Sequence, residues 1–167
     1  MPVSKLPWLT IVLGTYIIIS ASFTKQLLDF VKTYIGTQGF SVLVSLILIV
    51  LTLLLFIFKI RKKGRLINTL VFIIILIIAI ILILQLEIPE EKMHFVEFGT
   101  LGWIAGRDLI KRNKKTKRAI LAFVICILVG ILQESLQLLL PYRYFQWRDI
   151  LFNNLGSTLG LILYLLS

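Results

Sequence analysis

The chain has 167 residues, of which 59% are apolar, and carries a formal charge of +10. With a mean hydropathy of +0.99 it falls outside the range of an ordinary soluble domain. One cysteine excludes an internal disulfide.

Apolar runs of about 20 residues, long enough to cross a hydrocarbon core of roughly 30 Å, predict an all-α polytopic bundle of six crossings in one transmembrane domain, residues 1–167. The first runs from Trp8 to about Phe23. The opening "MPVSKLPWLT" has one lysine and no small-x-small cleavage site, so it reads as the start of an uncleaved helix. In "TKQLLDFVKTYIGTQG" the apolar residues fall at 27, 28, 30, 31, 34 and 35, which is a helical period with one apolar face. This predicts either a short helix along the membrane interface or an extension of the first crossing. Gly36 and Gly39 let the chain turn back into the bilayer.

The second crossing is Phe40 to Phe58 and the third is Leu66 to Leu86, almost pure Ile, Leu and Val. The fourth, Met93 to about Leu109, is shorter and polar at its start. The fifth is Ala119 to Leu140, with Cys126 mid-run as a buried, inert thiol, and the sixth is Ile150 to Leu166.

Charge sets the expected orientation. The second-to-third link contains Lys59, Arg61, Lys62, Lys63 and Arg65. The fourth-to-fifth link contains Arg107, Lys111, Arg112, Lys114, Lys115, Lys117 and Arg118. Together they hold twelve of the 18 basic residues. By the positive-inside rule both links face the cytoplasm, which gives an N-in/C-in protein of the cell membrane. The charge is then largely topological, with anionic lipid headgroups as a natural partner. A nucleic-acid role needs a basic soluble domain with groove-reading elements, which the sequence lacks.

In this scheme three separate segments bring polar groups to one depth, near the outer surface. Glu91, His94 and Glu97 step by three along the fourth helix, beside Lys92. Gln133, Glu134 and Gln137 lie near the end of the fifth. Arg143, Arg148 and Asp149 occupy the turn that follows, and Asp149 and Asn153 form an i, i+4 pair entering the sixth. Ionisable groups inside a crossing cost several kcal/mol and usually face the bundle interior with a partner. The cluster therefore reads as a polar pocket open to the outside. Gly99, Gly102 and Gly106 on the fourth helix, with Gly156 and Gly160 on the sixth, read as close-packing faces.

The motifs "EKMHFVEFGTLG" and "ESLQLLLPYRYFQWRDILFNNLGSTLG" resemble the VanZ-like family of bacterial membrane proteins over about residues 91–166. The family pattern falls on Glu91, Lys92 and His94, then on Glu134 and Gln137. It continues through the Pro141-x-Arg143 turn to Asp149, Asn153 and Gly156. Tyr142 stands where the family often has Gly, and Glu91 where Asp is common; neither change removes charge. The resemblance implies a role in the bacterial cell envelope, linked by the family's name to resistance to the glycopeptide teicoplanin, and no settled chemistry.

Three readings stay open. In the first, the pocket binds or handles an anionic lipid or a polyprenyl-phosphate-linked wall precursor. Glu91, Lys92, His94, Glu134, Gln137, Arg143, Arg148, Asp149 and Asn153 line it, and arginine grips phosphate. In the second, Glu134, His94 and Asp149 provide acid and base for an intramembrane enzyme acting on a lipid or peptide headgroup. In the third, the polar groups satisfy one another and clamp the helices together. A single histidine leaves zinc short of nitrogen ligands, so neither a metal nor a cofactor is expected.

Overall fold

A computed structural model describes residues 7–61, 66–86, 88–110, 115–141 and 145–166, which form α-helices and no strand. In chain order these are α1 (Trp8–Ser20), α2 (Thr24–Arg61), α3 (Leu66–Gln85), α4 (Pro89–Leu109), α5 (Lys115–Leu138) and α6 (Trp147–Leu166). The basic residues Lys62, Lys63, Arg65, Lys111, Arg112 and Lys114 lie outside the described residues, as do Tyr142, Arg143 and Tyr144.

The all-α expectation holds. Four stretches are long and apolar enough to cross a membrane: Thr24–Val50, Leu66–Gln85, Thr116–Leu138 and Trp147–Leu166. α1 is a shorter apolar helix of 13 residues and ends at Ser20, not Phe23. There the Ser20 hydroxyl donates to the Ile17 carbonyl (3.0 Å) and the Thr24 hydroxyl to the Ser20 carbonyl (2.6 Å). Side chains thus engage carbonyls at the end of the helix, and the chain turns into α2.

Within α2 the backbone leaves helical geometry at Gly36, with φ 72° and ψ 162°. Only glycine adopts this region readily. Residues 24–35 are therefore a separate helical segment, and the turn falls at Gly36 alone.

α4 starts at Pro89, four residues before the expected Met93. Proline suits the first turn because its missing N–H would have had no partner there, and Ile88 before it is extended. α5 ends at Leu138, and the N–H groups of Leu139 and Leu140 bond back to Leu136 and Gln137 at 3.1 Å each. Those i to i+3 bonds tighten its last turn.

α4 is the hub, packed against α1, α2, α5 and α6. Its polar first turns would be costly in lipid, and enclosure by other helices explains how they are accommodated. α6 runs parallel to α4 at the closest approach in the bundle. A methyl at Gly102 would meet the Ser157 carbonyl, one at Gly156 the Phe95 carbonyl, and one at Gly160 the Gly99 carbonyl. Backbone lies on backbone, so the glycines have the packing role read from the sequence.

Two larger apolar cores flank this pair, and a smaller one of Phe72, Leu76 and Leu163 joins α3 to α6. Ile17, Phe98, Leu101, Ala122, Cys126 and Leu161 fill the space between α1, α4, α5 and α6. Leu28, Phe40, Val44, Leu48, Ile83 and Phe95 fill the space between α2, α3 and α4. Half of the α3 side chains are exposed, Leu70, Ile74, Ile77 and Ile81 among them. At the opposite end of the bundle from Lys92, near Arg107 and Arg118, the Asp108 carboxylate accepts from the Thr10 N–H (2.9 Å) and hydroxyl (3.0 Å). It caps the N-terminus of α1 from another helix.

Candidate functional site

The first two turns of α4 send polar side chains in different directions, because successive helical residues are about 100° apart. Glu91, Lys92 and His94 are all buried, at 3%, 5% and 9% exposure. They gather at the bundle end that also holds the start of α2 and the α5–α6 turn.

Lys92 faces α2. Its ammonium donates to the hydroxyls of Ser41 and Ser45, at 3.2 Å each. The Ser45 hydroxyl in turn donates to the Ser41 carbonyl at 2.8 Å, leaving its lone pairs for Lys92. Glu91 faces the start of α6, where Arg148 Nε lies 3.2 Å from its Oε1. The Arg148 side chain is 61% exposed and rests over the Phe152 ring at 5.4 Å.

His94 faces α5 and α6. One donor atom each from His94, Glu134 and Asp149 lie within 4.8 Å of one another. Glu134 is fully buried, and its Oε1 accepts from Gln137 Nε2 at 3.1 Å. One turn deeper, Asn153 Nδ2 donates to Gln133 Oε1 (3.4 Å) and Gln133 Nε2 to the Ile17 carbonyl (3.5 Å). A polar chain thus runs from α6 through α5 to α1. A void of about 10 Å³, on the scale of one water molecule, touches His94, Glu97, Gln133 and Thr24.

Glu91, Lys92, His94, Glu134, Gln137, Asp149 and Asn153 are therefore all buried at one end, where the sequence places them. Arg148 reaches the same end but sits at its surface, and Arg143 is outside the described residues. His94, Glu134 and Asp149 are the described residues that could share a proton or hold a divalent cation.

Below Lys92 lies an apolar cavity of about 480 Å³ between α2 and α3 on one side and α4 and α6 on the other. Leu48, Ile83, Phe95, Val96, Trp103 and Leu163 line it, and Gly99, Gly156 and Gly160 form part of its floor. Val96 is one turn below Lys92 on α4, and Leu48 is one turn below Ser45 on α2. The polar group and the cavity thus share two helix faces.

Ser41 and Ser45 were not among the residues singled out from the sequence. Two serines four apart in "FSVLVSLIL" mark one helix face, but nothing local says that Lys92 packs against it.

Residues 90–167 match the VanZ/LLP1 family model. The expected resemblance is thereby met over the segment that carries it. Comparison with curated proteins and with solved structures returns no match. The VanZ/LLP1 segment supplies Lys92, His94, Glu134, Asp149 and the α4–α6 glycine contact. The two serines and about a third of the cavity wall come from α2 and α3, outside that segment.

Proposed function

We propose that the chain is a multi-pass protein of the bacterial cytoplasmic membrane that binds or handles an anionic envelope lipid. The basic links face the cytoplasm and the polar end faces outward. The observation that carries this reading is the apolar cavity of about 480 Å³ placed directly beneath a buried, charged end of the bundle. A cavity of that size is in the range of small-molecule sites, and its wall is hydrocarbon almost throughout. A lipid satisfies both parts, its chain in the cavity and its head among the polar groups. Lipid-linked wall precursors are amphiphiles of this kind, and through them the chain would contribute to glycopeptide (teicoplanin) resistance.

Native mass spectrometry of the detergent-purified protein tests the reading, with wild type beside Thr100→Phe. Thr100 is exposed and lines the cavity, so a phenyl ring there fills it without disturbing the core. A co-purified lipid in wild type, lost in the variant at equal thermal stability, is the expected result. A well-folded wild type that stays bare when lipid is added back would refute it.

A second reading has its own observation. A histidine and two carboxylates with donor atoms within 4.8 Å could supply acid and base for an intramembrane hydrolase acting on the same headgroup. In that case Glu134→Gln abolishes turnover of the bound lipid and keeps its binding.

A further inference from the structure

We infer that the anionic head of the ligand is seated by Lys92 together with Ser41 and Ser45, and that its chain lies in the cavity below them. The inference rests on the lipid-handling reading and assigns its headgroup class, a phosphate or carboxylate borne on a lipid.

Lys92 is the only lysine or arginine buried among the described residues. Its partners are two serine hydroxyls, and among the described side chains no carboxylate lies within ion-pair distance. A buried ammonium without a counter-charge is costly, and such groups are normally paired. Its third N–H, and the hydroxyl hydrogen that Ser41 gives to no described acceptor, remain for an incoming oxygen. Ser45 cannot offer its own hydrogen, since the Ser41 carbonyl already takes it.

The alternatives at this end fit an anion less well. Arg148 is exposed and already beside Glu91. The His94 group contains two carboxylates, which repel an anionic head. The Lys92 face continues downward into the apolar cavity, through Val96 on α4 and Leu48 on α2. Charge, hydrogen-bond donors and chain space therefore lie on one line.

Trp103 lines the cavity, whereas Trp8 and Trp147 are 65% and 74% exposed. In a Trp8→Phe, Trp147→Phe parent, Trp103 becomes a fluorescent reporter of cavity occupancy. The parent in maltoside micelles is titrated with phosphatidic acid or phosphatidylcholine, both brominated along the same acyl chains. Saturable quenching is expected with about tenfold preference for phosphatidic acid, the scale of one charge-assisted hydrogen bond. Lys92→Gln is expected to remove the preference and leave quenching by phosphatidylcholine in place. Ser41→Ala, a small change at a half-buried position, is expected to cut the preference about threefold; it serves if Lys92→Gln does not fold.

Equal quenching by the two lipids in the parent, or full preference kept in both variants, overturns the seat and leaves the cavity as a lipid site. No saturable quenching by either lipid overturns the underlying reading itself. Preference abolished by excess inorganic phosphate means the seat takes a free anion, which contradicts the assignment to a lipid.

Discussion

Lys92 shows how a single side chain can be legible in the sequence while its partners are not. From the sequence it is a lysine at the start of a crossing, where snorkelling to the interface is the ordinary outcome. In the fold it is 5% exposed and held by Ser41 and Ser45. An ammonium kept from water with only hydroxyl partners weakens the apo protein. Lys92→Gln is therefore expected to hold or raise lipid-free stability, by about 1 kcal/mol. Thermal unfolding of delipidated protein checks this, and a fall of several degrees would show that Lys92 serves mainly as structure. Glu134, His94 and Asp149 were readable as a group because their types are rare in apolar runs. Asp108 was not, since its partner Thr10 is 98 residues away on a helix that offers no matching signal.

At the scale of helices, five expected elements kept their bounds to within a few residues. The exception is the stretch after α1, where the turn at residues 21–23 rules out a plain extension of α1 and the backbone break at Gly36 sets residues 24–35 apart from the rest of α2. Apolar runs report span length well, but they say little about which helices touch. The glycine spacing did carry that information, because only glycine lets α4 and α6 meet backbone to backbone. Gly160→Ala drives a methyl into the Gly99 carbonyl and is expected to cost about 3 kcal/mol. Gly99→Ala meets the nearest atom, the Gly156 carbonyl, at 3.6 Å and is expected to be tolerated within about 1 kcal/mol. Chemical denaturation of the two variants compares them directly. Equal losses would mean that the α4–α6 contact is not the tight crossing described. Gly36→Ala tests a different cost. Nothing lies within 4 Å of the added methyl, so any loss, expected at about 1–3 kcal/mol, is purely conformational.

For the whole molecule, the proposed orientation rests on charge asymmetry and not on packing. Gln146 is exposed at the polar end and Lys117 at the basic end. With Cys126 buried, a cysteine placed at either position becomes the accessible thiol. A membrane-impermeant maleimide added to intact cells is expected to label Gln146→Cys and to spare Lys117→Cys; the reverse pattern would put the polar end in the cytoplasm and exclude ligands from outside the membrane. The cavity itself could not be foreseen, because it forms between the α2–α3 pair and the α4–α6 pair and belongs to no single segment.

The most direct measurement is photo-crosslinking in liposomes with phosphatidic acid that carries a diazirine in its acyl chain, followed by peptide mapping. Adducts are expected on the cavity wall, at Val96 and Trp103 of α4 and at Leu159 and Leu163 of α6. Adducts confined to outward-facing residues such as Ile74, Ile78 and Leu128 would mean that lipid only surrounds the bundle, and would contradict a bound lipid at its centre.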